Sequence, residues 1–207
     1  MTQNGLVYVV DDDESVRRSL VRLLRSVGLE AVAFPSASAF LEREVVDRPT
    51  CLVLDLRLRG PSGLDLQAEL SGRQQSIPII FITGHGTVPA SVRAMKGGAL
   101  DFLEKPFDDG ELLDSVQRAL ARSRDTHAEH AERDAIQRRL DTLTPRERQV
   151  LHLVVRGMLN KQIAADLGAA EKTIKIHRGR VMKKMQADSV ASLVRMVQRL
   201  GLEEPLA

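Results

Sequence analysis

The chain has 207 residues, 43% of them hydrophobic, and a net charge of only +2. This length suits one or two globular domains, and no apolar stretch approaches the roughly 20 residues that cross a bilayer. The chain has one cysteine, which excludes a disulfide framework within it, and its first residues carry no secretory signal pattern. We therefore expect a cytoplasmic protein.

The charge is distributed unevenly along the chain. Residues 140–207 carry 12 Lys and Arg against 7 Asp and Glu, a net charge of +5. Residues 1–139 hold the other 18 basic and 21 acidic side chains, a net charge of −3. A basic C-terminal part beside an acidic N-terminal part indicates a polyanionic partner for the basic part.

In chain order, the first half alternates short apolar runs with helical patterns. Apolar runs of this length are typical of buried parallel strands. They are Leu6–Val10, Ala31–Phe34, Cys51–Leu54, Ile77–Ile82 and Leu100–Leu103. Helices are predicted between and after them, at Glu14–Val27, Ser36–Val46, Gly63–Leu70, Val88–Lys96 and Glu111–Leu120. This order predicts an α/β fold with a five-stranded, doubly wound parallel sheet of flavodoxin-like type.

Most of these runs end in a residue that can do chemistry. Because the carboxyl ends of parallel strands share one edge, the residues expected there are Asp11, Asp12, Asp55, Thr83 and Lys105. Two carboxylates 4 Å apart repel by about 4 kcal/mol at an effective dielectric near 20. Such a pocket raises a carboxyl pKa or binds a hard cation such as Mg²⁺. Asp55 is the candidate nucleophile for an acyl phosphate, and Thr83 and Lys105 are candidate phosphoryl ligands.

An Asp after a strand is also a common helix N-cap. For Asp13, which is followed by Glu14 and an amphipathic pattern, we favour that structural role. For each of the other acidic residues taken alone, a capping role is as plausible as a chemical one. Their joint occurrence in order favours the chemical interpretation.

Four segments then carry a specific resemblance. They are Val9-Val10-Asp11-Asp12-Asp13-Glu14, Leu54-Asp55-Leu56-Arg57, Thr83-Gly84-His85-Gly86 and Asp101-Phe102-Leu103-Glu104-Lys105-Pro106-Phe107. Together they resemble the receiver domain of two-component response regulators, in its FixJ-like branch. The resemblance implies that Asp55 accepts a phosphoryl group from a sensor histidine kinase. It also implies one Mg²⁺ per receiver, bound directly by Asp12 and Asp55, through water by Asp11, and by the backbone carbonyl of Arg57.

The same resemblance implies a switch. Thr83 and Phe102 would be the switch pair, and the Lys105-Pro106 bond is often cis in this family. One departure is that Leu58-Arg59 stands where the family usually has Met-Pro. Since proline fixes φ, Arg59 loosens the loop beside the metal site.

Residues 111–143 contain no Gly or Pro and predict a long linker helix. The competing interpretation is a disordered hinge around Ser123–Glu129. The predicted domains are a receiver at 1–122, a helical linker at 123–139 and a helix-turn-helix domain at 140–207.

The C-terminal part begins with an explicit helix start. In Leu143-Thr144-Pro145-Arg146-Glu147, Thr144 fits the N-cap, Pro145 the first turn and Glu147 the capping box. A second helix, Lys161–Leu167, would be capped by Asn160, and a fourth by Asp188 or Ser189. Between them, Glu171–Met185 is a basic helix. Short helices before a basic third one are typical of a helix-turn-helix.

The basic helix has two predicted faces. Ile174, His177, Val181 and Met185 would pack on the core, whereas Lys175, Arg178 and Met182 would face the DNA major groove, with Ile176, Gly179, Arg180 and Lys183 beside them. Six basic residues and one acid lie between Glu171 and Lys184. An ordinary solvated basic face is the alternative, but the helix-turn-helix setting favours DNA.

This part resembles the LuxR-type DNA-binding domain. The matching segments are Leu143-Thr144-Pro145-Arg146-Glu147, Asn160-Lys161-Gln162-Ile163-Ala164, Leu167-Gly168 and Thr173-Ile174-Lys175-Ile176-His177. The resemblance implies a four-helix domain that dimerises through its last helix. Its implied base contacts are Lys175, Ile176 and Arg178, and its implied phosphate contacts are Thr173, Arg180 and Lys183. Ala170 replaces the usual Ser at the start of the recognition helix, and Gly179 lies inside that helix.

The resulting hypothesis is a phosphorylation-activated transcriptional regulator that binds double-stranded promoter DNA as a homodimer, with RNA polymerase as a candidate further partner. It would not be an enzyme beyond its own phosphoryl transfer and autodephosphorylation. One alternative is a DNA-binding regulator that works without phosphorylation and uses the receiver only to dimerise. A remote alternative is a Mg²⁺-dependent aspartyl phosphatase, which Arg57 disfavours because such enzymes usually carry a second Asp there.

Overall fold

The structure is a computed structural model that describes residues 5–73, 76–84 and 87–202. His85 and Gly86 of the predicted receiver motif lie outside the described residues. The chain divides into two compact units, an N-terminal unit (Met1–Ala128) and a C-terminal unit (Glu129–Ala207). The domain limits predicted above stay a prediction. Among the described residues, no helix combines the length and the apolar character needed to cross a membrane.

The described residues of the N-terminal unit form a five-stranded sheet in the order β2-β1-β3-β4-β5, with every neighbouring pair parallel. The strands are β1 (Leu6–Val10), β2 (Glu30–Phe34), β3 (Thr50–Asp55), β4 (Ile79–Thr83) and β5 (Asp101–Glu104). This confirms the predicted doubly wound sheet. Strand β4 begins at Ile79 rather than at Ile77, just after Pro78, which has no N–H to donate to a ladder.

Both faces of the strands β1, β3 and β4 are buried, which explains why these strands are largely apolar. Along β1, Val7 and Val9 contribute to one core, while Tyr8 and Val10 contribute to the other. Alternate residues of a strand point to opposite faces, so one strand supplies both cores. The helices of this unit are α1 (Glu14–Ser26), α2 (Ala37–Leu41), α3 (Gly63–Gly72), α4 (Val88–Lys96) and α5 (Asp109–Asp141).

Helix α2 is shorter than predicted, because it ends at Leu41 and not at Val46. Arg43 donates from Nη1 to the carbonyl oxygen of Phe40 at 3.0 Å. Its guanidinium carbon also lies 3.7 Å from the ring centroid of Phe40 and 5.0 Å from that of Tyr8. Beyond the end of α2, Arg43 thus makes a cation–π contact with these rings and a hydrogen bond to one of the last carbonyl oxygens of the helix.

Helix α5 runs without a break over 33 residues, so the linker is helical and the hinge interpretation for Ser123–Glu129 is wrong. The Ser123 hydroxyl oxygen accepts a buried hydrogen bond from the backbone N–H of Thr50 at 2.9 Å. Leu112, Val116 and Leu120 of the same helix are buried in the N-terminal unit.

The C-terminal unit contains the end of α5 followed by α6 (Pro145–Val155), α7 (Asn160–Asp166), α8 (Glu171–Met185) and α9 (Val190–Arg199). The capping box of Thr144 and Glu147 is present as predicted, and Ser189 caps α9. Asn160 was the predicted cap of α7, but this is wrong. The capping position is Leu159, whose N–H donates to Gln162 Oε1 at 2.8 Å, and Asn160 is the first residue inside the helix.

Candidate functional site

The carboxyl edge of the sheet gathers polar residues from four strands. Asp11 follows β1, Asp55 ends β3, Thr83 ends β4 and Lys105 follows β5. Three of these residues are nearly inaccessible, with exposed fractions of 1% for Asp11, 7% for Asp55 and 1% for Thr83. Burial of two carboxyl groups at one edge requires compensating partners.

Lys105 is the central partner. Its Nζ donates to Asp11 Oδ2 at 2.7 Å and to Asp55 Oδ1 at 3.0 Å. The second oxygen of each carboxylate accepts a backbone N–H, from Asp13 to Asp11 at 2.8 Å and from Arg57 to Asp55 at 2.9 Å. Each carboxylate is thus held by the ammonium on one side and by its own loop on the other.

The backbone places Lys105 beside these acids. Its N–H donates to the carbonyl oxygen of Thr83 at 2.7 Å, which continues the β4–β5 pairing by one residue. The Lys105-Pro106 peptide bond is cis, as the resemblance implied.

The pKa values of Asp55 and Lys105 are both raised, but for different reasons. Burial raises the pKa of Asp55 above its ordinary value; Lys105 opposes this through its hydrogen bond and charge, and the charge of Asp11 adds to it. Burial lowers the pKa of Lys105, but the hydrogen bonds and charges of Asp11 and Asp55 outweigh it, so the net pKa is raised. Lys105 is therefore a charged ammonium at neutral pH.

Asp12 is arranged differently from the sequence expectation. Its Oδ2 lies 3.1 Å from Arg59 Nε, and the Arg59 side chain is 91% exposed. Within the part of the chain that the structure describes, no group of three Asp, Glu, His or Cys side chains is arranged to hold a metal ion. The structure therefore brings Asp11 and Asp55 together through Lys105 and pairs Asp12 with Arg59.

The donor chemistry nevertheless suits a hard cation. Asp11, Asp12 and Asp55 offer carboxylate oxygens, and Arg57 offers a backbone carbonyl, all of which Mg²⁺ prefers over softer ligands. Lys105 neutralises one of the three negative charges, and the exposed pair with Arg59 is weak.

Helix α8 has the two faces that the sequence predicted, although His177 of the core face and Arg178 and Met182 of the DNA face are half-buried. Ile174, Val181 and Met185 are fully buried in the core of the C-terminal unit. Met182, which was assigned to the DNA face, is half-buried and packs against that core, because α8 contacts both α6 and α7 and so buries a stripe wider than one row of residues. The exposed residues of the other face are Thr173, Lys175, Ile176, Arg180 and Lys183.

Comparison with known proteins decides the family. The response regulator receiver domain matches residues 7–117, and the luxR family of bacterial regulatory proteins matches residues 141–197. The chain is a LuxR-type response regulator. It is a transcriptional regulator of the two-component type, with a receiver and a helix-turn-helix part, and not an enzyme of the classical kind.

The response regulator has similar relatives along nearly its whole length. It is 55% identical over 198 residues to Nodulation protein W of Bradyrhizobium diazoefficiens, covering 96% of this chain and 87% of that protein. It is 45% identical to the transcriptional regulatory protein FixJ of Azorhizobium caulinodans, over 98% of this chain and 96% of that one. Among solved structures, the response regulator StyR is similar with a TM-score of 0.86 and 46% identity, covering 95% of this chain and 99% of that chain.

Two contacts in the response regulator were missed at the sequence level. The first is Arg59 against Asp12, for which the only signal was an Arg in place of the usual Pro. The second is Arg178, which is half-buried and donates from Nη1 to Asn160 Oδ1 at 3.0 Å. Asn160 precedes Arg178 by 18 residues, so helical spacing gave no hint of this contact.

The raised pKa of Asp55 predicts a pH dependence of stability. A carboxyl group with a higher pKa in the folded state favours folding below its unfolded pKa and loses that contribution as the pH rises through the folded value. We expect Asp55→Asn to become more stable than the wild type as the pH rises through this interval, because the amide carries no charge to bury. Thermal unfolding with a chelator present measures this; Asp114→Asn, on an exposed position of α5, is the control. A less stable Asp55→Asn at neutral pH would contradict it.

Proposed function

We propose that Asp55 accepts a phosphoryl group from a sensor histidine kinase and that this modification switches DNA binding by the C-terminal unit. The observation that carries the proposal is the contact of Lys105 Nζ with both Asp55 and Asp11 at the carboxyl edge of the sheet. In open parallel sheets this edge is the usual ligand-binding position.

The transfer step follows from the residues present. An Asp55 carboxylate oxygen attacks the phosphorus of a phosphohistidine, the P–N bond breaks, and an acyl phosphate forms while the histidine nitrogen keeps the electron pair. The Arg57 N–H orients the Asp55 carboxylate, and the Lys105 ammonium offsets charge on the transferred group. Asp11, Asp12, Asp55 and the Arg57 carbonyl would hold a Mg²⁺, which supplies further neutralisation of the phosphoryl charge when bound.

The proposed signal passes through Thr83 and Phe102. Thr83 ends β4 next to the acceptor strand, and the half-buried ring of Phe102 has its centroid 6.3 Å from that of Phe81. We propose that this ring turns inward when Thr83 engages the phosphoryl group.

An exposed apolar stripe lies on α4. Val88, Val92 and Met95 lie at helical spacing on α4 with exposed fractions of 77%, 45% and 48%. We propose that this stripe pairs with a second receiver, giving the homodimer. The exposure of a row of apolar side chains at i, i+4 and i+7 supports that role.

For the C-terminal unit, we propose that α8 enters the major groove. Lys175, Ile176 and Arg178 would approach base edges, and the phosphate contacts would be Thr173, Arg180 and Lys183. The support is the exposed basic face of α8 opposite its buried apolar face. Binding through several phosphates makes affinity fall steeply with salt.

Incubation of the full chain with acetyl phosphate and Mg²⁺ tests the acceptor. The expected product gains the mass of one phosphoryl group, loses it to hydroxylamine as acyl phosphates do, and maps to the peptide containing Asp55. A phosphoryl group on another peptide, or none, would refute the assignment.

Replacing Arg178 by Ala tests the DNA contact. The expected effect is a loss of about 1–3 kcal/mol of discrimination at one base pair, because a bidentate arginine contact to a base edge is removed. Selection from a pool of randomised duplexes measures it. Equal weakening on all sequences would instead make Arg178 a phosphate contact.

A regulator that works without phosphorylation is the second candidate. The observation that favours it is the ion pair of Arg59 with Asp12, which engages a proposed metal ligand with a cation. The exposed position of Arg59 makes this pair easy to displace.

A further inference from the structure

The contact of Arg178 with Asn160 links two helices of the proposed DNA-binding surface. Arg178 lies in the middle of α8, and Asn160 is the first residue of α7. The 3.0 Å distance between Arg178 Nη1 and Asn160 Oδ1 is that of a full hydrogen bond. Arg178 is half-buried, whereas Lys175 and Ile176, its proposed partners in base contact, are exposed.

The position of Asn160 explains why its side chain is available for this bond. An Asn at the start of a helix usually caps it. Here Gln162 Oε1 accepts the N–H of Leu159 at 2.8 Å, so the backbone at the helix start is satisfied by another residue. The amide oxygen of Asn160 is then directed to α8.

One hydrogen bond of this kind restricts the orientation of the Arg178 guanidinium but does not occupy all of its N–H donors. Arginine presents five N–H donors in a planar fork, and the bond to Asn160 engages one nitrogen. The partner is a neutral amide, so the positive charge of Arg178 is kept for the nucleic acid. An arginine that is already oriented loses less conformational entropy when it binds.

We propose that Asn160 is a positioning residue for Arg178, holding the guanidinium in the orientation that reads a base, so that sequence selectivity depends on a residue outside the recognition helix. This inference rests on the proposed DNA-binding function. It assigns Asn160 a role in selectivity and not in general affinity.

The test compares Asn160→Ala, Arg178→Ala and the double variant in the full chain, activated with beryllium fluoride and Mg²⁺. The probe is a pool of duplexes with a randomised core long enough for two half-sites. We expect Asn160→Ala to flatten the selected preference by about three- to tenfold at the same base pair that Arg178→Ala affects. The double variant should lose no more than Arg178→Ala alone, because the two residues act as one unit. Asp166→Ala, exposed at the other end of α7, is the matched control and should select like the wild type.

Asn160→Asp separates positioning from a structural role. It keeps an oxygen beside Arg178 but adds a negative charge, so we expect the base preference to persist while affinity falls on every sequence. Wild-type preferences in Asn160→Ala would overturn the inference. So would a uniform loss of affinity accompanied by a lower melting temperature. A wild-type protein that enriches no sequence would instead refute the proposed function itself.

Discussion

Replacing Asp55 by Asn is expected to abolish phosphoryl uptake by the response regulator. The amide has no anionic oxygen to attack phosphorus, and no other carboxylate of the pocket occupies the same position between Lys105 and the Arg57 N–H. Intact mass after incubation with acetyl phosphate and Mg²⁺ measures the outcome. Asp114→Asn, a change of the same kind at an exposed position, should label like the wild type.

Labelling of Asp55→Asn at the wild-type rate would show that another residue is the acceptor. Misfolding is a weak explanation for the expected loss, because the buried charge of Asp55 costs stability and its removal favours the folded state. Circular dichroism of the variant provides the check. Lys105 keeps its contact with Asp11 in this variant, so the pocket is not left with an unpaired ammonium.

The second large effect concerns the stability of the C-terminal unit. Glu147 has a side chain only 3% exposed; its Oε2 accepts from Lys184 Nζ at 2.6 Å and from the N–H of Thr144 at 2.9 Å. Glu147→Ala removes the ion pair and half of the capping box together. We expect a loss of about 2–3 kcal/mol in the free energy of unfolding, below the range for fully buried pairs because Lys184 is partly exposed.

The distribution of aromatic residues allows the stability of the C-terminal unit to be followed separately from that of the N-terminal unit. Its aromatic residues are one Tyr and five Phe with no Trp, and all of them lie between residues 8 and 107. Tyrosine fluorescence therefore reports on the N-terminal unit, whereas far-ultraviolet circular dichroism reports on both. For Glu147→Ala, we expect the unfolding transition seen by circular dichroism to move to lower denaturant concentration. The unfolding transition seen by tyrosine fluorescence should stay where it is.

Glu147→Gln, a milder change than Glu147→Ala, is the control. Glu147→Gln keeps a side chain able to close the capping box but loses the charge, so its deficit should be smaller. Lys184 and the capping N–H of Thr144 lower the pKa of Glu147, so its contribution is present above the ordinary glutamic acid range and is lost as the pH falls through the lowered value. The deficit of Glu147→Gln should therefore shrink in acid. A deficit independent of pH would contradict the ion-pair explanation.

Much of this architecture was predictable because the local signals agree with the global fold. Apolar runs such as Leu6–Val10 are typical of strands in a sheet covered on both faces, and that sheet places Asp11 and Asp55 at one edge. Thr144-Pro145 and Glu147 specify a helix start through contacts within four residues, so the prediction needed no tertiary information.

The structure differs from the sequence predictions where contacts between residues distant in the sequence determine it. After the early end of α2, Arg43 stacks on Tyr8 of β1, a residue 35 positions away in the sequence. Asn160 bonds Arg178 rather than its own helix, and Asp12 pairs with Arg59, an interaction that spacing does not encode. The metal ligation and the DNA contacts assigned from the resemblance stay predictions.

The most direct test of the account is the affinity of the full chain for a selected duplex with and without beryllium fluoride, which mimics a phosphoryl group on a carboxylate. We predict tighter binding with beryllium fluoride and Mg²⁺, and no such gain in Asp55→Asn. Equal affinity of the wild type under both conditions would contradict a phosphorylation switch and would leave a receiver that serves another purpose.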